Sequence, residues 1–209
     1  MSSGHSQTIF LKFGPSFSKL TWSETTNNTK PDEKGIIGFN VIGGVNYLNF
    51  KYFNLSSGIG FIRKGGIEHW FISGNDPTYR TDTAKLNFLT INTTFNLKVP
   101  IIKIIEPFIF VGPRLDYLFS YSENEVFIKD YDDAKKLNKV IYGILLGGGI
   151  NFRVKRFQLG IDFDYYLNIN KLIDYHLTYY TNDSVGWREL TNKIYDNTFT
   201  VNAMIGYKF

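Results

Sequence analysis

The sequence predicts an all-β fold: an eight-stranded antiparallel up-and-down transmembrane β-barrel with a filled polar interior. First, apolar residues occupy every second position in eight separate segments, which is the period of strands with one apolar and one polar face. Second, the connections between these segments alternate between long polar loops and short turns. Third, the last segment ends the chain on an aromatic residue, Phe209. An even number of strands joined by connections of alternating length is typical of barrels that span a membrane.

The first four segments differ in what stands between their apolar residues. In the first, Pro15 cannot donate a hydrogen bond to a neighbouring strand, so we expect regular pairing to be interrupted there. In the second, Gly and Asn alternate with apolar residues from Ile37 to Tyr47, and in the third Gly58 and Gly60 do so. In the fourth, Asn and Thr lie opposite the apolar residues. These segments cover, approximately, Thr8–Trp22, Ile36–Tyr52, Leu55–Gly65 and Ala84–Val99.

The last four segments carry charged residues, glycines or threonine and asparagine on their polar faces. Arg114 and Asp116 lie there in the fifth, glycines in the sixth, and Asp162 and Asp164 in the seventh. The eighth alternates without interruption to the end of the chain. We expect every apolar face to meet lipid and every polar face to line the interior. These segments cover, approximately, Pro107–Tyr121, Lys139–Val154, Phe157–Asn168 and Asn197–Phe209, and residues 169–196 form the longest predicted loop.

The charged residues of these polar faces are predicted to form a structural network inside the barrel. An eight-stranded barrel is narrow and its interior is filled by side chains, so we expect no open pore. Unpaired charges in such a space are costly, and they must pair with each other or meet water. We therefore expect Arg114 to bridge to one or more of the acidic residues, which are Asp116, Asp162 and Asp164.

The composition agrees with a membrane barrel and excludes several other classes. Aromatic residues make up 17% of the 209 residues, as expected if Phe and Tyr form girdles at both membrane interfaces. Mean hydropathy is −0.16, and no apolar run approaches the roughly 20 residues that a helical span requires. The net charge is +4, but Lys and Arg are scattered, so no nucleic-acid-binding patch is predicted. The absence of cysteine excludes disulfides, thiolate metal sites and cysteine nucleophiles.

The two ends of the chain carry different signals. The start, M-S-S-G-H-S-Q, lacks the apolar stretch of a secretory signal peptide. We therefore expect residues 1–7 to be a disordered start added before the mature chain, and residues 8–209 to form one barrel domain. The final strand resembles that of bacterial outer-membrane barrels, in which a terminal aromatic residue is recognised by the insertion machinery. This resemblance implies that Tyr207 and Phe209 form an insertion signal.

Four motifs, taken in their order along the chain, resemble the PorT-like outer-membrane β-barrel family. They are G-G-V-N-Y at 43–47, P-F-I-F-V-G-P-R-L-D-Y-L-F-S-Y at 107–121, G-G-G-I-N-F at 147–152 and I-G-Y-K-F at 205–209. The resemblance implies a small barrel in the bacterial outer membrane, usually of eight strands, with no catalytic site of its own. PorT itself is linked to the biogenesis of a protein secretion system, whereas many of its relatives have no known role.

Candidate catalytic and metal-binding residues are few. Some outer-membrane barrels are lipid A acyltransferases, deacylases or proteases, which use His with Ser or Asp near the outer rim. His176, Asp174 and Ser184 could be combined in this way, but their spacing matches no catalytic signature, so we interpret them as ordinary loop residues. The acidic run D-Y-D-D at 130–133 lacks the spacing of a calcium loop. We therefore predict no catalytic residue, no metal site and no cofactor.

Three functions remain open at the level of the sequence. The first is a non-enzymatic outer-membrane barrel whose extracellular loops bind surface partners, or which supports envelope or secretion-system assembly. The second is a lipid-modifying enzyme of the outer membrane, and the third is a soluble lipocalin-like carrier, which would bury its apolar face inside. For the first, the expected partners are outer-membrane lipid or lipopolysaccharide, the barrel-insertion machinery acting on the C-terminal strand, and a surface or periplasmic protein. No nucleic-acid partner is expected.

Overall fold

All regular secondary structure in the described part of the chain is β. The structure, a computed structural model, describes residues 7–24, 32–72, 78–99, 101, 104–122, 136–181 and 186–209. No helix in these ranges is long and apolar enough to cross a membrane. The described strands are β1 (Thr8–Glu24), β2 (Asp32–Tyr47), β3 (Phe53–Ile72), β4 (Thr78–Lys98), β5 (Ile105–Tyr121), β6 (Val140–Val154), β7 (Phe157–Asn168), β8 (Ile173–Thr181) and β9 (Gly186–Lys208).

These strands form one closed antiparallel sheet. Each strand from β1 to β7 is paired with the next, except that β7 pairs with β9, and β9 also pairs with β1. β8 pairs with β9 beyond the point where β7 ends, so β7 and β8 occupy successive stretches along the same neighbour. The cylinder therefore has eight strand positions, and the predicted eight-stranded up-and-down barrel is confirmed.

The two ends of the cylinder differ in their connections. One end of the cylinder, which we call the turn end, carries the links β2–β3, β4–β5 and β6–β7. The start of β1 and the end of β9 lie at this same end. The links β1–β2, β3–β4, β5–β6 and β8–β9 lie at the opposite end, which we call the loop end. In outer-membrane barrels the short turns face the periplasm and the long loops face the cell exterior.

The stretch from 169 to 196 is not the single loop that the sequence predicted. Ile173–Thr181 forms β8, which pairs residue by residue with the first part of β9, from Ile194 back to Gly186. This hairpin has no apolar alternation, because polar residues occur on both faces of I-D-Y-H-L-T-Y-Y-T. Its tyrosines and threonines nevertheless favour strands, since aromatic and branched side chains fit a pleated surface.

Pro15 interrupts the sheet on one side only. β1 pairs continuously with β2 past Pro15, whereas its pairing with β9 skips Gly14 and Pro15 and resumes at Ser16 in the same register. A similar gap surrounds Pro113 between β4 and β5. Because proline lacks an N–H group, it removes a hydrogen bond from the ladder, and the rest of each strand keeps its partner.

The apolar faces of the strands point away from the barrel axis. Phe163, Phe199 and Ile205 are 46%, 38% and 45% exposed, while the neighbouring Asp164 and Thr200 are buried. This is the orientation that a lipid-facing wall requires. A lipocalin-type carrier buries its apolar face inside, so the alternative of a soluble carrier is wrong.

The interior is polar only in part, which differs from the predicted polar filling. Towards the loop end the inward positions carry apolar side chains that pack into one cluster. In a narrow interior, close-packed apolar side chains fill space without needing hydrogen-bond partners, whereas each polar group would need one. We give the name apolar plug to these members of the cluster: Leu20, Trp22, Ile62, Leu86, Phe88, Leu118, Leu137, Ile141, Leu172, Ile173 and Ile194. The cluster also includes Ala84, and it continues towards the turn end through Tyr166, Phe110 and Leu145.

Candidate functional site

Two clusters of buried charges lie inside the barrel between the turn end and the apolar plug. The first, called the Lys12 cluster, joins Lys12 of β1 to Asp162 and Asp164 of β7 and Asn202 of β9. The Lys12 Nζ atom lies 2.7 Å from Asp162 Oδ2 and 3.6 Å from Asp164 Oδ1. The Asn202 amide donates hydrogen bonds to both carboxylates, at 2.8 and 3.0 Å. One cation and one amide therefore share two carboxylates.

The second, called the Lys64 cluster, connects four strands across the lumen. The Lys64 Nζ atom lies 2.7 Å from Asp116 Oδ2 and 3.1 Å from Asp196 Oδ2. Arg114 donates hydrogen bonds to Asp116 and to Asn168. Asn168 in turn donates to Asp196 Oδ2 at 3.0 Å, which closes the network. Two cations and two carboxylates are thus matched, and they tie β3, β5, β7 and β9 together from the inside.

Aromatic rings surround the cations of the Lys64 cluster. The Lys64 Nζ atom lies 5.1 Å from the ring centroid of Phe88 and 4.9 Å from that of Tyr166. The Arg114 guanidinium carbon lies 4.8 Å from the Tyr166 centroid. A cation within about 6 Å of a ring face is attracted by the quadrupole of the ring. Because Lys64 and Asp116 are completely buried, these contacts and the ion pairs must replace the water that both groups lose.

The four charged residues selected from the sequence are divided between the two clusters. Arg114 and Asp116 contact each other in the Lys64 cluster. Asp162 and Asp164 lie in the Lys12 cluster instead, close to a cation that the sequence interpretation did not include.

The sequence interpretation missed the other three charged residues of the two clusters, namely Lys12, Lys64 and Asp196. Lys12 and Lys64 occupy inward positions of the period of two, so the alternation contained the signal for both. Asp196 falls inside the stretch that was predicted to be a loop, and it is placed inward only because β9 begins at Gly186.

A break between β7 and β8 closes the lumen from the loop end. Tyr166 pairs with Thr198, and Ile173 pairs with Ile194. The segment of β9 between these two pairs is therefore shorter than the segment of β7 and β8 that faces it. The extra residues turn Leu172 inward, and it is 1% exposed. The Leu172 N–H group donates to the Ile194 carbonyl at 2.9 Å, and its own carbonyl accepts from the Asn138 N–H group at 2.9 Å. Leu172 and Ile173 thereby join the apolar plug.

A small cavity with both polar and apolar side chains in its lining lies in the interior near the turn end. Its volume is about 40 Å³, and its lining includes the side chains of Asn54, Asn96 and Asn151. The side-chain Oδ1 atoms of Asn54 and Asn151 have no hydrogen-bond partner among the described residues. A buried water needs about 10–15 Å³ and two or more polar partners, so the cavity suits a few water molecules. It is far smaller than the roughly 300 Å³ at which ligand pockets begin.

The loop-end residues considered for catalysis lie only partly within the described ranges. His176 lies in β8 opposite Thr191, and Asp174 is exposed and lies 2.9 Å from the Lys171 Nζ atom. Ser184, residues 1–6 and the acidic run 130–133 lie outside the described residues. Within the described ranges, no group of three or more His, Cys, Asp or Glu side chains is arranged to hold a metal ion.

Comparison with known proteins gives one family and several structural relatives. The family model of the outer membrane protein beta-barrel domain matches residues 5–174. The chain is similar to the solved structure of OprG from Pseudomonas aeruginosa, at 10% identity and a TM-score of 0.55, with 98% of this chain and 97% of that chain covered. It is also similar to Neisserial surface protein A, at 10% identity and a TM-score of 0.50, with 96% and 97% covered. At such identities the structural likeness shows the fold alone. No curated protein matches the chain.

Proposed function

We propose that this bacterial outer-membrane barrel is non-enzymatic and acts through its loop end. The premise is that the chain belongs to the outer membrane protein beta-barrel domain family. There it binds a partner at the cell surface, or it supports assembly of the envelope or of a secretion system. The second of these roles is the one that the resemblance to PorT-like barrels suggests. Lipopolysaccharide would contact the outer wall, and a periplasmic protein could bind the turn end.

Two hairpins that continue past the membrane support this proposal. A strand crosses a bilayer with about 9–11 residues, whereas β3 and β4 have 20 and 21 residues and pair with each other along their whole length. β8 and β9 form a further paired hairpin beyond the end of β7. Paired strands hold a preformed surface, so a partner that binds them loses less free energy to ordering than one that binds a disordered loop.

The filled lumen is the second support, because it restricts how the barrel can act. The apolar plug and two charge clusters stand between the loop end and the turn end. A solute would have to displace close-packed side chains and break buried ion pairs to pass. Contact with the exterior is therefore expected at the loop end rather than through the interior.

Shortening one hairpin tests the proposed binding. Residues 177–190 are replaced by Asn-Gly, a two-residue connection that suits a β-hairpin. The barrel should still fold, because the pairings of β9 with β7 and β1 lie outside the deleted stretch. A photo-cross-linking residue at Thr178 in the full chain should capture an envelope or surface partner in living cells. The shortened chain should fail to replace the full chain in a deletion strain.

A cross-linking residue at Lys155, in the short β6–β7 turn, is the matched control for Thr178. If both positions capture the same proteins, and if the shortened chain replaces the full chain in a deletion strain, the proposal that this hairpin binds a partner is wrong.

The proposed absence of enzymatic activity has its own test. The refolded barrel is incubated with lipid A, phospholipid and peptide substrates, and the products are followed by mass spectrometry. We expect no turnover with the native chain or with His176→Ala. Turnover that His176→Ala abolishes would show that the enzyme alternative is correct.

A further inference from the structure

A groove on the outer wall of the barrel lies over β1 near the loop end. Its volume is about 410 Å³, which falls within the range of small-molecule sites. β1, β2, β7 and β9 all contribute to it. Its lining includes the side chains of Phe17, Lys19, Ile37, Tyr165, Asn197 and Phe199.

The groove exists because β2 separates from β1 near the loop end. The ladder between these strands stops at Ser18 and Ile36, although β1 continues to Glu24 and β2 begins at Asp32. The pairing of β2 with β3 is also interrupted there, since it jumps from Gly35 to Asn40 with a shift of register. The groove is therefore formed by the backbone arrangement itself.

Small residues and serine hydroxyls hold this arrangement from within. A Cβ atom on Gly38 would lie 2.4 Å from the Arg63 carbonyl oxygen, so β2 and β3 approach too closely there for any larger residue. Gly65 adopts a φ of +149°, which L residues rarely adopt. The hydroxyl of Ser16 donates to the Arg63 carbonyl at 2.6 Å, and the Gly65 N–H group donates to Ser18 Oγ at 3.0 Å.

The groove lies at the edge of the apolar belt. Phe17, Ile37 and Phe199 belong to the outermost ring of outward apolar residues on β1, β2 and β9. The next outward residues towards the loop end are Lys19 on β1 and Asn197 on β9. The rings of Phe17 and Phe199 stack, with their centroids 4.8 Å apart. The groove thus has an apolar lower part at hydrocarbon depth and a polar upper rim.

We propose that this groove binds one acyl chain of lipid A and that Lys19 contacts a lipid A phosphate. The loop end faces the cell exterior, as in the proposed function, so the lipid beside the groove belongs to the outer leaflet, where lipid A is the anionic lipid. Lys19 is 46% exposed in its side chain and lies 3.1 Å from Glu33 Oε2. An ammonium group has three donors, and the contact with Glu33 leaves donors for phosphate oxygens.

Filling the groove is the first test. The full chain, folded in detergent micelles, is mixed with lipid A, and the retained lipid is counted by native mass spectrometry. Ile37→Trp should weaken retention about tenfold, a change of about 1.4 kcal/mol. Ile59→Trp is the matched control, because Ile59 is an exposed outward isoleucine on β3 away from the groove. Equal retention by the two variants would overturn the proposal.

Removing the cation is the second test, and it keeps the proposal testable if Ile37→Trp does not fold. Lys19→Gln should weaken the binding of phosphorylated lipid A about tenfold and leave that of dephosphorylated lipid A unchanged. Lys85→Gln, another exposed lysine near the loop end, serves as the control. Equal losses with both lipids, or equal retention of phosphatidylethanolamine by the native chain, would overturn the assignment to lipid A. Because neither test involves the β8–β9 hairpin, failure here is distinguishable from failure of the proposed surface binding.

Discussion

At the scale of single residues, two serine hydroxyls replace the strand partner that β3 lacks. Arg63, Lys64 and Gly65 have no paired residue in β2, because β2 bulges at this point. Ser16 and Ser18 of β1 satisfy the free carbonyl of Arg63 and the free N–H group of Gly65. A buried backbone group without a partner costs free energy comparable to a lost hydrogen bond. The hydroxyls therefore stabilise the bulge that positions Lys64 in the lumen.

Replacing one of these serines should destabilise the barrel measurably. Ser18→Ala leaves the Gly65 N–H group unpaired and removes one of the two hydrogen-bond partners of the Thr198 hydroxyl, which lies 2.9 Å from Ser18 Oγ and 2.6 Å from Asp196 Oδ1. We expect the free energy of unfolding to fall by about 1–3 kcal/mol, measured by urea unfolding in micelles. Ser57→Ala is the control, since within the described residues the Ser57 hydroxyl bonds to two other hydroxyls, those of Tyr47 and Thr93, and to no backbone group. A loss for Ser18→Ala no greater than that of the control would contradict this account.

The charge balance of the Lys12 cluster leads to a second prediction at this scale. Lys12→Met leaves Asp162 and Asp164 buried side by side without a cation, so the free energy of unfolding should fall by about 3–5 kcal/mol. Adding Asp162→Asn and Asp164→Asn to Lys12→Met should restore most of the loss, because no unpaired charge remains. Urea unfolding of the three chains measures both effects. A triple variant no more stable than Lys12→Met would show that the ion pairing is not what matters.

The alternation in the sequence predicts which residues enter the lumen, but not which of them meet. It places Lys12, Arg114 and Asp162 inward. The partners depend on the stagger between strands: Asp162 lies opposite Asn202, and Lys12 lies opposite Met204 of the same β9. Lys12 therefore reaches Asp162 diagonally across β9. A period of two carries no information on that stagger, so the sequence named Asp116, Asp162 and Asp164 as candidate partners of Arg114 but could not show that Arg114 contacts Asp116 alone among them.

At the scale of strands, the period of two found every strand that spans the membrane and missed β8. Lipid on one side and a filled lumen on the other impose alternation on the spanning strands. β8 lies beyond the end of β7, where neither constraint holds, so its sequence need not alternate. For the same reason the break at 169–172 leaves no periodic signal. It is recognised only through the pairing of Ile173 with Ile194.

The final strand leads to a prediction about insertion. Tyr207 and Phe209 pack edge to face with their ring centroids 5.3 Å apart, and Phe209 is 67% exposed. An exposed terminal aromatic residue adds little to the packing of the barrel, so Phe209→Ala should refold in detergent with a nearly unchanged free energy of unfolding. In cells, the same variant should reach the outer membrane at a clearly reduced level, measured by membrane fractionation.

Phe157→Ala is the control for Phe209→Ala, because Phe157 is also an exposed aromatic residue at the turn end and contacts Tyr207, with the ring centroids 5.5 Å apart. Equal amounts of the two variants in the outer membrane would show that Phe209 is not an insertion signal. A refolding defect in Phe209→Ala would assign it a structural role instead.

At the scale of the whole molecule, three layers stand between the two ends of the lumen. From the turn end they are the Lys12 cluster, the Lys64 cluster and the apolar plug, whose Phe88 and Ile62 already reach the level of Lys64. The layers differ in chemistry: an ion must leave its water to enter the plug, and a solute must break buried ion pairs to pass the clusters. A substitution in one layer therefore leaves the other two closed.

This layering predicts that the barrel does not conduct ions, even when the plug is weakened. The native chain in a planar bilayer should show no steady single-channel current. Leu172→Ala with Ile173→Ala should also remain silent, because the Lys12 and Lys64 clusters still fill the lumen below the plug. Urea unfolding of the same double variant should reveal a loss of about 4–10 kcal/mol for two truncated core side chains, which confirms that the plug was altered. A stable open channel in either chain would mean that the layers move aside together, and the loop end would no longer be the sole route of contact with the exterior.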